Sequence, residues 1–376
     1  MAEGSFDVVV IGGGMVGSAI AYGLGRRGAR VAVLDEGDTA VRAARANLGL
    51  VWLQSKGDGM PEYGVWSRRS CDLWPAFAAE LRETTGVDAE HERKGGLTLC
   101  LGEHEFEERA KTIRRMHNQV ESWVYETRMI DRHQLQALMP RARLGPEVVG
   151  ASWCPHDGIS NPLRTLQAMH AGMRRVGVAY RPDAPVRAVG RDGAGFVATT
   201  PAGDFRAGKV VVAAGHGTPA LAASLGLDAP IRPERGQLLV TERLDRILPL
   251  PAGGMRQTAD GTIMIGSTRE KVTTLDTRTT TGSAIHLANR ALRILPDLKE
   301  VRIVRSWAGL RVLAPDSFPV YQESESHPGA YVAFCHSGNT LAAVHAEELA
   351  EAILMPRLPE RLAAFHPRRF ATPRAA

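Results

Sequence analysis

The chain has 376 residues, and its 46 Lys and Arg residues against 41 Asp and Glu residues give a formal net charge of +5. This length is enough for two lobes with a sizeable core, and the absence of a dense basic run with interleaved aromatic residues argues against nucleic-acid binding. The cysteines never form a CxxC pair, which predicts free thiols in a reducing compartment and no disulfide framework. They are Cys71, Cys100, Cys154 and Cys335.

Residues 1–4 are acidic and lead directly into the first predicted strand, without the pattern of a signal peptide. No apolar stretch is long enough to span a bilayer. We therefore expect a cytoplasmic protein with no transmembrane segment.

The first predicted unit covers residues 6–36 and has a βαβ pattern. A run of β-branched residues is followed at once by a glycine-rich turn, an amphipathic helix and a second strand that ends in acidic residues. Glycines at this spacing permit a tight turn, close approach of the backbone to a pyrophosphate, and close packing of helix on strand. A carboxylate at the end of the second strand can accept a hydrogen bond from a ribose hydroxyl. The residues of this dinucleotide fingerprint are Gly12, Gly14, Gly17, Asp35 and Glu36.

Residues 39–56 predict a helical first half and an extended second half. The break falls at Asn47, Leu48 and Gly49. Residues 62–85 have helical periodicity, and Pro75 predicts a kink or a break between two helices. A strand (95–101), a charged helix (105–118), a strand-like segment (123–129) and a short helix (131–139) follow.

A strand over residues 148–155 precedes the turn at His156 and Asp157. These two side chains fit either an acid–base pair or a turn in which Asp157 bonds the backbone, and the turn is the favoured interpretation. Asn161 and Pro162 predict the N-cap and first position of a helix. Its predicted buried stripe is Leu163, Leu166, Met169 and Met173.

A small antiparallel meander is predicted between residues 186 and 207, followed by a buried strand (209–215). Strands over 231–243 and 254–270 predict the sheet of a second domain. A helix (283–294), two strands (300–312 and 330–334) and a long helix (338–355) complete the order. The last ten residues predict a loosely held tail.

Four separated motifs stand together in this order, and as a set they resemble the D-amino-acid oxidase superfamily of flavin-dependent amine oxidoreductases. The resemblance covers residues 6 to about 350. Residues 47–57 and 335–338 are most similar to the catalytic subunits of bacterial opine oxidases and D-hydroxyproline dehydrogenases. The motifs are the dinucleotide fingerprint, VAAG (212–215), WAGLR (307–311) with Pro315 and Asp316, and HSGNTLA (336–342).

The resemblance implies an α/β fold. It consists of an FAD-binding Rossmann-like domain of the glutathione-reductase type, with an inserted α+β substrate domain built on a mixed or antiparallel sheet. The implied FAD-binding segments are 1–60, 145–225 and 305–376, and the implied substrate-binding segments are 61–144 and 226–304.

The resemblance also implies an extended FAD. It is bound without a covalent link, because Val312 and Leu313 stand where some sarcosine oxidases carry a tethering cysteine. The helix that follows Ser337 would point at the pyrimidine end of the flavin, where N–H groups stabilise an anion. The implied cofactor-binding residues are Gly12, Gly14, Met15, Val16, Asp35, Glu36, Asn47, Leu48, Gly49, Val186, Ala214, Gly215, Gly309, Arg311, Ser337, Gly338, Asn339, Thr340 and Leu341. Histidines and methionines show no metal-ligand spacing, so no metal site is predicted.

Two arginines are candidate ligands of a substrate carboxylate. Arg311 carries a planar fork that can bind a carboxylate through two hydrogen bonds, and the alternative is a structural ion pair with Asp316. Arg256 would suit a second carboxylate of an opine, and the alternative is a surface arginine.

Two further candidates lie near the predicted flavin. His336 contacts substrate or flavin, or is a packing residue. Gln54 belongs to a segment that runs past the flavin edge with Trp52 and Lys56, for which the alternatives are core packing of Trp52 and solvent exposure of Lys56.

The predicted function is FAD-dependent oxidation of the C–N bond of an amino acid or N-substituted amino acid, such as an opine or D-hydroxyproline. Hydride passes to flavin N5, and the resulting imine hydrolyses. One alternative is a glycine, sarcosine or D-amino-acid oxidase that uses oxygen directly. Met264 stands where such oxidases carry a lysine, which favours a dehydrogenase. The other alternative is an FAD-bearing electron-transfer subunit of a larger dehydrogenase complex. The expected partners are therefore a small carboxylate-bearing amine substrate and other dehydrogenase subunits.

Overall fold

The computed structural model describes residues 5–37 and 43–371. Residues 39–42 of the predicted helical segment therefore lie outside the described residues, and residues 43–46 form a 3₁₀ turn. The strands are β1 (Phe6–Ile11), β2 (Val31–Leu34), β3 (Leu50–Val51), β4 (Gly96–Leu101), β5 (Arg128–Asp131), β6 (Val148–Cys154), β7 (Gly158–Ile159), β8 (Ala179–Arg181), β9 (Ala188–Asp192), β10 (Gly195–Thr200), β11 (Gly203–Val212), β12 (Arg232–Arg243), β13 (Met255–Gln257), β14 (Thr262–Gly266), β15 (Glu270–Lys271), β16 (Ile303–Leu313), β17 (Val320–Glu323) and β18 (Ala330–Phe334).

The helices include one long interrupted helix near the C-terminus, in which a π-helical turn (His345–Leu349) joins two α-helical pieces. In chain order they are α1 (Met15–Arg26), α2 (Pro61–Thr85), α3 (Gly102–Gln119), α4 (Arg132–Leu138), α5 (Pro162–Arg175), α6 (Thr218–Ala222), α7 (Thr281–Ile294), α8 (Gly338–Val344) and α9 (Ala350–Leu354). Within the described ranges, none of them combines the length and apolarity needed to cross a bilayer.

The central sheet has the order β17-β18-β11-β1-β2-β8, and β9 and β10 extend it as an antiparallel meander on β11. Five strands are parallel, as the βαβ pattern predicts, and β17 is antiparallel at the edge. Both faces are covered: Val8 and Val10 of β1 point into one apolar cluster, and Val9 and Ile11 point into another. β1 lies between β2 on one side and β11 on the other, so the strand order reverses at β1. Open α/β sheets bind ligands at the carboxyl ends of the strands beside such a point.

A second layer contains the five-stranded sheet β13-β14-β12-β15 with β16 on β12, and a three-stranded sheet β4-β6-β5. Strand β6 follows α4 in sequence but pairs with β4 and β5, and β16 pairs with β12 over its whole length. The mixed α/β architecture is thus confirmed, whereas the assignment of segments to two domains stays a prediction.

Of the two alternatives at Pro75, a kink or a break between two helices, the break is wrong, because α2 runs as one helix of 25 residues. A proline removes one backbone N–H and frees the carbonyl four residues earlier. That carbonyl belongs to Cys71, and it accepts a hydrogen bond from Nη1 of Arg93 at 3.4 Å. A side chain from outside the helix therefore replaces the missing backbone bond.

Two local predictions on apolar residues also need correction. Leu163 is 55% exposed, so it does not join the buried stripe of α5, although Leu166, Met169 and Met173 do. Trp123 is 54% exposed and precedes the strand predicted around it, which begins only at Arg128. The Asn161 cap is confirmed, since its side chain accepts from the backbone N–H of Leu163 and Arg164.

The predicted loose tail is wrong for the part of it that the structure describes. Pro367–Phe370 form a 3₁₀ turn, and Arg369 donates from Nε to Oδ2 of Asp316 at 2.8 Å. Both side chains are largely buried, at 16% and 11% exposure. The C-terminal segment is therefore anchored to the turn that follows β16.

We predict that Arg369→Met lowers the free energy of unfolding by about 1.5–3 kcal/mol, the range for hydrogen bonds to charged groups. Its neighbour Arg368 is 70% exposed and provides the matched control, since exposed substitutions stay within about 0.5 kcal/mol. Urea unfolding of both variants checks this. Equal stability of the two variants would contradict the anchoring role.

Candidate active site

The loop between β1 and α1 contains two glycines that the protein itself requires. Gly12 has a φ of +107°, and a Cβ there would lie 2.4 Å from the carbonyl oxygen of Ala213. A Cβ on Gly17 would lie 1.9 Å from the carbonyl oxygen of Gly12. The tight turn and the close helix–strand packing of a dinucleotide fingerprint are therefore both present.

Gly14 differs, because no protein atom demands a glycine at this position. Its φ is −76°, which any residue can adopt, and a Cβ there would meet no atom within 4 Å. It borders a cavity instead. A glycine that the fold does not need, placed at the edge of a cavity, fits a ligand whose pyrophosphate must approach the backbone.

The carboxylate of Asp35 lies at the end of β2 and is 7% exposed. Oδ2 accepts from the backbone N–H of Gly13 at 2.6 Å, and Oδ1 accepts from that of Gly37 at 2.9 Å. These two bonds fix the orientation of the carboxylate. Its position beside the cavity suits a ribose hydroxyl.

Two cavities of about 360 and 330 Å³ meet beside these elements. They share lining residues from the 43–47 loop, from β16 and from the start of α8, so together they form one elongated site. It runs from the glycine turn to Arg311, and this shape suits an extended cofactor with a substrate at its far end. The shared residues are Ala43, Asn47, Val312, Cys335, His336 and Asn339.

Most predicted cofactor-binding residues border these cavities. The first cavity is lined by Gly12, Gly14, Met15, Val16, Asp35, Glu36, Asn47, Val186, Ala214, Gly215, Gly338 and Asn339. The second is lined by Asn47, Leu48, Gly309, Arg311, Ser337, Asn339 and Thr340, together with His336.

Arg311 borders the second cavity with its side chain 14% exposed. Nη1 donates to Oε1 of Glu234 at 3.1 Å, and Nη2 donates to the carbonyl oxygen of Thr268 at 2.8 Å. Nη2 also donates to the hydroxyl of Ser267. The alternative of an ion pair with Asp316 is excluded, because that carboxylate is bound by Arg369.

Sequence reasoning missed Glu234, which is 5% exposed on β12. It also accepts from Nε of the exposed Arg269 at 3.0 Å, so one carboxylate faces two guanidinium groups. Gly236 was missed as well, although a glycine inside a strand is a signal for close approach. A Cβ there would lie 2.7 Å from Nη2 of Arg311, so Gly236 leaves room for this side chain.

The sequence matches a known protein family over most of its length. The family profile described as "FAD dependent oxidoreductase" (DAO) matches residues 7–352. The chain belongs to this family. It is 40% identical to a protein named as a subunit of opine oxidase in Agrobacterium tumefaciens (strain Ach5), over 97% of each chain.

Solved structures agree with this assignment. Glycine oxidase from Geobacillus kaustophilus superposes with a TM-score of 0.86 at 26% identity, over 97% of this chain and 98% of that one. L-proline dehydrogenase from P. horikoshii superposes with a TM-score of 0.83 at 25% identity, over 98% of each. The chain is an FAD-dependent oxidoreductase with the fold of these enzymes.

Arg256 does not line either cavity of this FAD-dependent oxidoreductase. It is 4% exposed on β13 and donates from Nε to the carbonyl oxygen of Leu48. It is therefore not a surface arginine, and the cavity walls give no support to its predicted role as a second carboxylate ligand. Its contact supports, from behind, the 47–49 loop that borders the second cavity.

Gln54 is also placed away from the cavities, at 2% exposure. Nε2 donates to Oδ2 of Asp157 at 2.7 Å, and Oε1 accepts from Nη2 of Arg109 at 2.8 Å. Burial raises the pKa of Asp157 to about 7. Gln54 therefore joins a buried carboxyl to a half-buried guanidinium, and its predicted contact with substrate is not supported.

Gly49 and Leu341 are likewise absent from the cavity walls. Gly49 has a φ of +88° and donates its N–H to Oδ1 of Asn47 at 2.7 Å, so it is needed for a turn. Leu341 is fully buried in the apolar core.

The two candidate histidines have different surroundings. His336 borders both cavities and is exposed there, and the surrounding protein together with the charges of Lys56, Arg311 and Arg269 lowers its pKa. Its ring is therefore neutral. His156 bonds to Glu126, and the predicted acid–base pair with Asp157 is not formed. Asp157 does bond the backbone, but its Oδ1 accepts from the N–H of Leu53 at 2.5 Å, which is distant in sequence and not part of its own turn.

We predict that Gly14→Val folds but binds no FAD, because the new side chain would occupy only the space that the pyrophosphate needs. The ratio of flavin to protein absorbance after purification measures loading, and thermal unfolding of the apoprotein measures folding. Gly190→Val on β9 is the control, since a Cβ there also meets nothing within 4 Å. Full flavin content in Gly14→Val would show that the cofactor site is misplaced.

Proposed function

We propose that the protein oxidises the C–N bond of an amino acid or N-substituted amino acid whose carboxylate is bound by Arg311. The observation that supports this most directly is a buried arginine at the wall of the second cavity. When bound, FAD supplies the acceptor for the hydride that leaves the α-carbon. The imine product then hydrolyses to a keto acid and an amine.

Arg311 is oriented before substrate arrives. Glu234, Ser267 and the carbonyl oxygen of Thr268 hold its guanidinium in one plane and one position. A guanidinium that is already held in one position loses little conformational entropy when it binds a carboxylate. The carboxylate would take over donors of Nη2 that Ser267 and Thr268 accept in this structure. We propose that this orientation sets the α-carbon in line for hydride transfer.

The charges around the second cavity also favour the reactive form of the amine. Lys56 and Arg311 are among its lining residues, and no acidic residue lines it within residues 5–37 and 43–371. Glu234 offsets the charge of Arg311, so among the described residues Lys56 is the uncompensated positive charge at this wall. A positive charge disfavours a further positive charge nearby, so a bound amine loses its proton more easily beside Lys56 than in water. The neutral amine has the lone pair that assists hydride departure, and no protein base is needed in this scheme.

We propose that FAD is held without a covalent bond. Val312 and Leu313 follow Arg311, so the tethering cysteine of some sarcosine oxidases has no counterpart there. Cys335 borders both cavities, but burial raises the pKa of its thiol to about 12. The thiolate needed for attachment to the flavin is therefore not populated at neutral pH.

Two observations bear on the electron acceptor. Met264 is a buried residue of β14, so no lysine stands at that position to assist oxygen. The relatives of this chain include a protein named as a subunit of opine oxidase. Both favour transfer of electrons to a partner protein over direct use of oxygen, and the direct oxidase remains the alternative.

We predict that Arg311→Lys and Arg311→Ala weaken the binding of carboxylate-bearing substrates, the alanine variant by about a hundredfold. That factor corresponds to about 2.7 kcal/mol, within the range for loss of one partner of a charge-assisted pair. Turnover falls too, because a misplaced α-carbon reacts slowly. Steady-state kinetics with a dye acceptor measures both effects.

The control compares substrates within the same variant. An amine that lacks the carboxylate should react equally with wild type and Arg311→Ala. Arg305→Ala provides a matched variant, since Arg305 lies on the exposed part of the same strand. Unchanged affinity for carboxylate substrates in a folded, FAD-loaded Arg311→Ala protein would refute the proposed role.

We predict that the isolated chain reduces an artificial dye quickly and produces hydrogen peroxide slowly. The reason is that an enzyme that passes its electrons to a partner protein has no need to activate oxygen. Parallel assays with the dye under nitrogen and with oxygen alone make the comparison. Peroxide formed as fast as the dye is reduced would favour the direct oxidase.

A further inference from the structure

Lys56 lies at the wall of the second cavity on a turn that other residues hold in place. Asp157 Oδ1 accepts from the backbone N–H of Leu53 at 2.5 Å and of Gln54 at 3.4 Å. The backbone N–H of Lys56 then bonds to the carbonyl oxygen of Leu53 at 2.9 Å. The half-buried side chain of Lys56 is thereby directed to the cavity.

The ammonium group of Lys56 has neutral partners. Nζ donates to the hydroxyl of Ser337, and it lies 5.5 Å from the centroid of the Tyr63 ring. Of the ion pairs formed by the described residues, none includes Lys56. A half-buried cation with no carboxylate beside it is one that can still gain stability from a negative charge in the cavity.

Ser337 shows where such a charge would lie. Its hydroxyl oxygen accepts from Lys56 and, at 2.6 Å, from the hydroxyl of Tyr63, so its lone pairs are used. It is 6% exposed and makes no capping bond to the helix that follows it. Its remaining capacity is as a donor, and both Ser337 and Lys56 border the second cavity.

The proposed reaction brings a negative charge to this place. A hydride carries two electrons and one proton, so the acceptor gains one unit of negative charge unless another proton follows. A fixed cation that contacts the acceptor stabilises the charged product more than the uncharged starting form. Such a difference appears as a higher reduction potential.

We propose that Lys56 is the charged side chain that stabilises the reduced flavin, with Ser337 holding its ammonium group against the ring. This inference rests on the proposed function and places the flavin ring in the second cavity, beside the substrate that Arg311 binds. The sequence placed Lys56 only in a segment that runs past the flavin edge. The proposal gives this residue a function there. The positive field of Lys56 inside the cavity is also felt by His336, whose pKa it lowers.

The test compares charge with hydrogen bonding at one position. Lys56→Gln keeps a donor for Ser337 but removes the charge, and Lys56→Arg keeps the charge. Lys111→Met is the control, since Lys111 is 58% exposed on α3. For each FAD-loaded protein, the midpoint potential of the flavin is measured against a reference dye, and the affinity for sulfite is measured by loss of flavin absorbance. Sulfite adds to oxidised flavin and leaves a negative charge on the ring.

We expect Lys56→Gln to bind sulfite about tenfold more weakly, and its potential to fall by about 30 mV, the equivalent of a tenfold change for two electrons. Lys56→Arg and Lys111→Met should stay close to wild type. A sulfite affinity in Lys56→Gln within twofold of wild type, together with a potential within about 10 mV of wild type, would overturn the proposal. So would a rise in KM for substrate with no change in potential, because Lys56 would then bind substrate.

If Lys56→Gln does not load FAD, the arginine variant decides. A wild-type sulfite affinity in Lys56→Arg supports the role of charge, and a tenfold loss overturns it. The proposed function is tested separately by amine oxidation in the wild type. A wild-type protein that oxidises amines while Lys56→Gln keeps its potential refutes this inference alone.

Discussion

The approach of Gly12 to the backbone of Ala213 constrains the whole site. A side chain at Gly12 would overlap the carbonyl of Ala213, which follows β11 directly. β1 and β11 are adjacent parallel strands, so their carboxyl ends lie at the same edge of the sheet. Gly12 and Ala213 follow these two ends and are about 200 residues apart in sequence. The first cavity opens at that edge, between the turn after β1 and the turn after β11. Cofactor binding therefore depends on backbone packing and only secondarily on side chains.

The second layer supplies what the Rossmann-like sheet lacks, namely charged side chains at the far end of the site. β12 and β16 pair over ten residue pairs, with Gly236 opposite Gly309. These two glycines leave room for the guanidinium of Arg311 and for the loop at Ala46. Glu234 orients Arg311 from the neighbouring strand. In the proposed function, this pair of strands sets the position at which substrate meets cofactor, as a preorganised site requires.

Local signals made much of this predictable. The βαβ unit, the Asn161 cap and most of the cavity-lining glycines depend on short stretches whose conformations are set by their own residues. The roles of Gln54 and Arg256 could not be read in this way. Their positions in sequence were near the site, but their contacts are with Asp157, Arg109 and Leu48, which only the tertiary structure brings to them. The predictions of a buried Leu163 and of a loose tail around Arg369 were wrong for the same reason. Periodicity does not tell which end of a helix meets the core, and a basic tail does not reveal the buried carboxylate that receives it.

The central claim is that one chain binds FAD and uses it to oxidise a carboxylate-bearing amine. The most direct measurement is an anaerobic titration of the purified, flavin-loaded wild type with amino acids and N-substituted amino acids, each beside its decarboxylated analogue. The account predicts that at least one acid bleaches the visible absorbance of the oxidised flavin and yields one keto acid per flavin. Its decarboxylated analogue should bleach the flavin far more slowly. A flavin that dithionite reduces but no amine reduces would contradict the claim and favour an electron-transfer role.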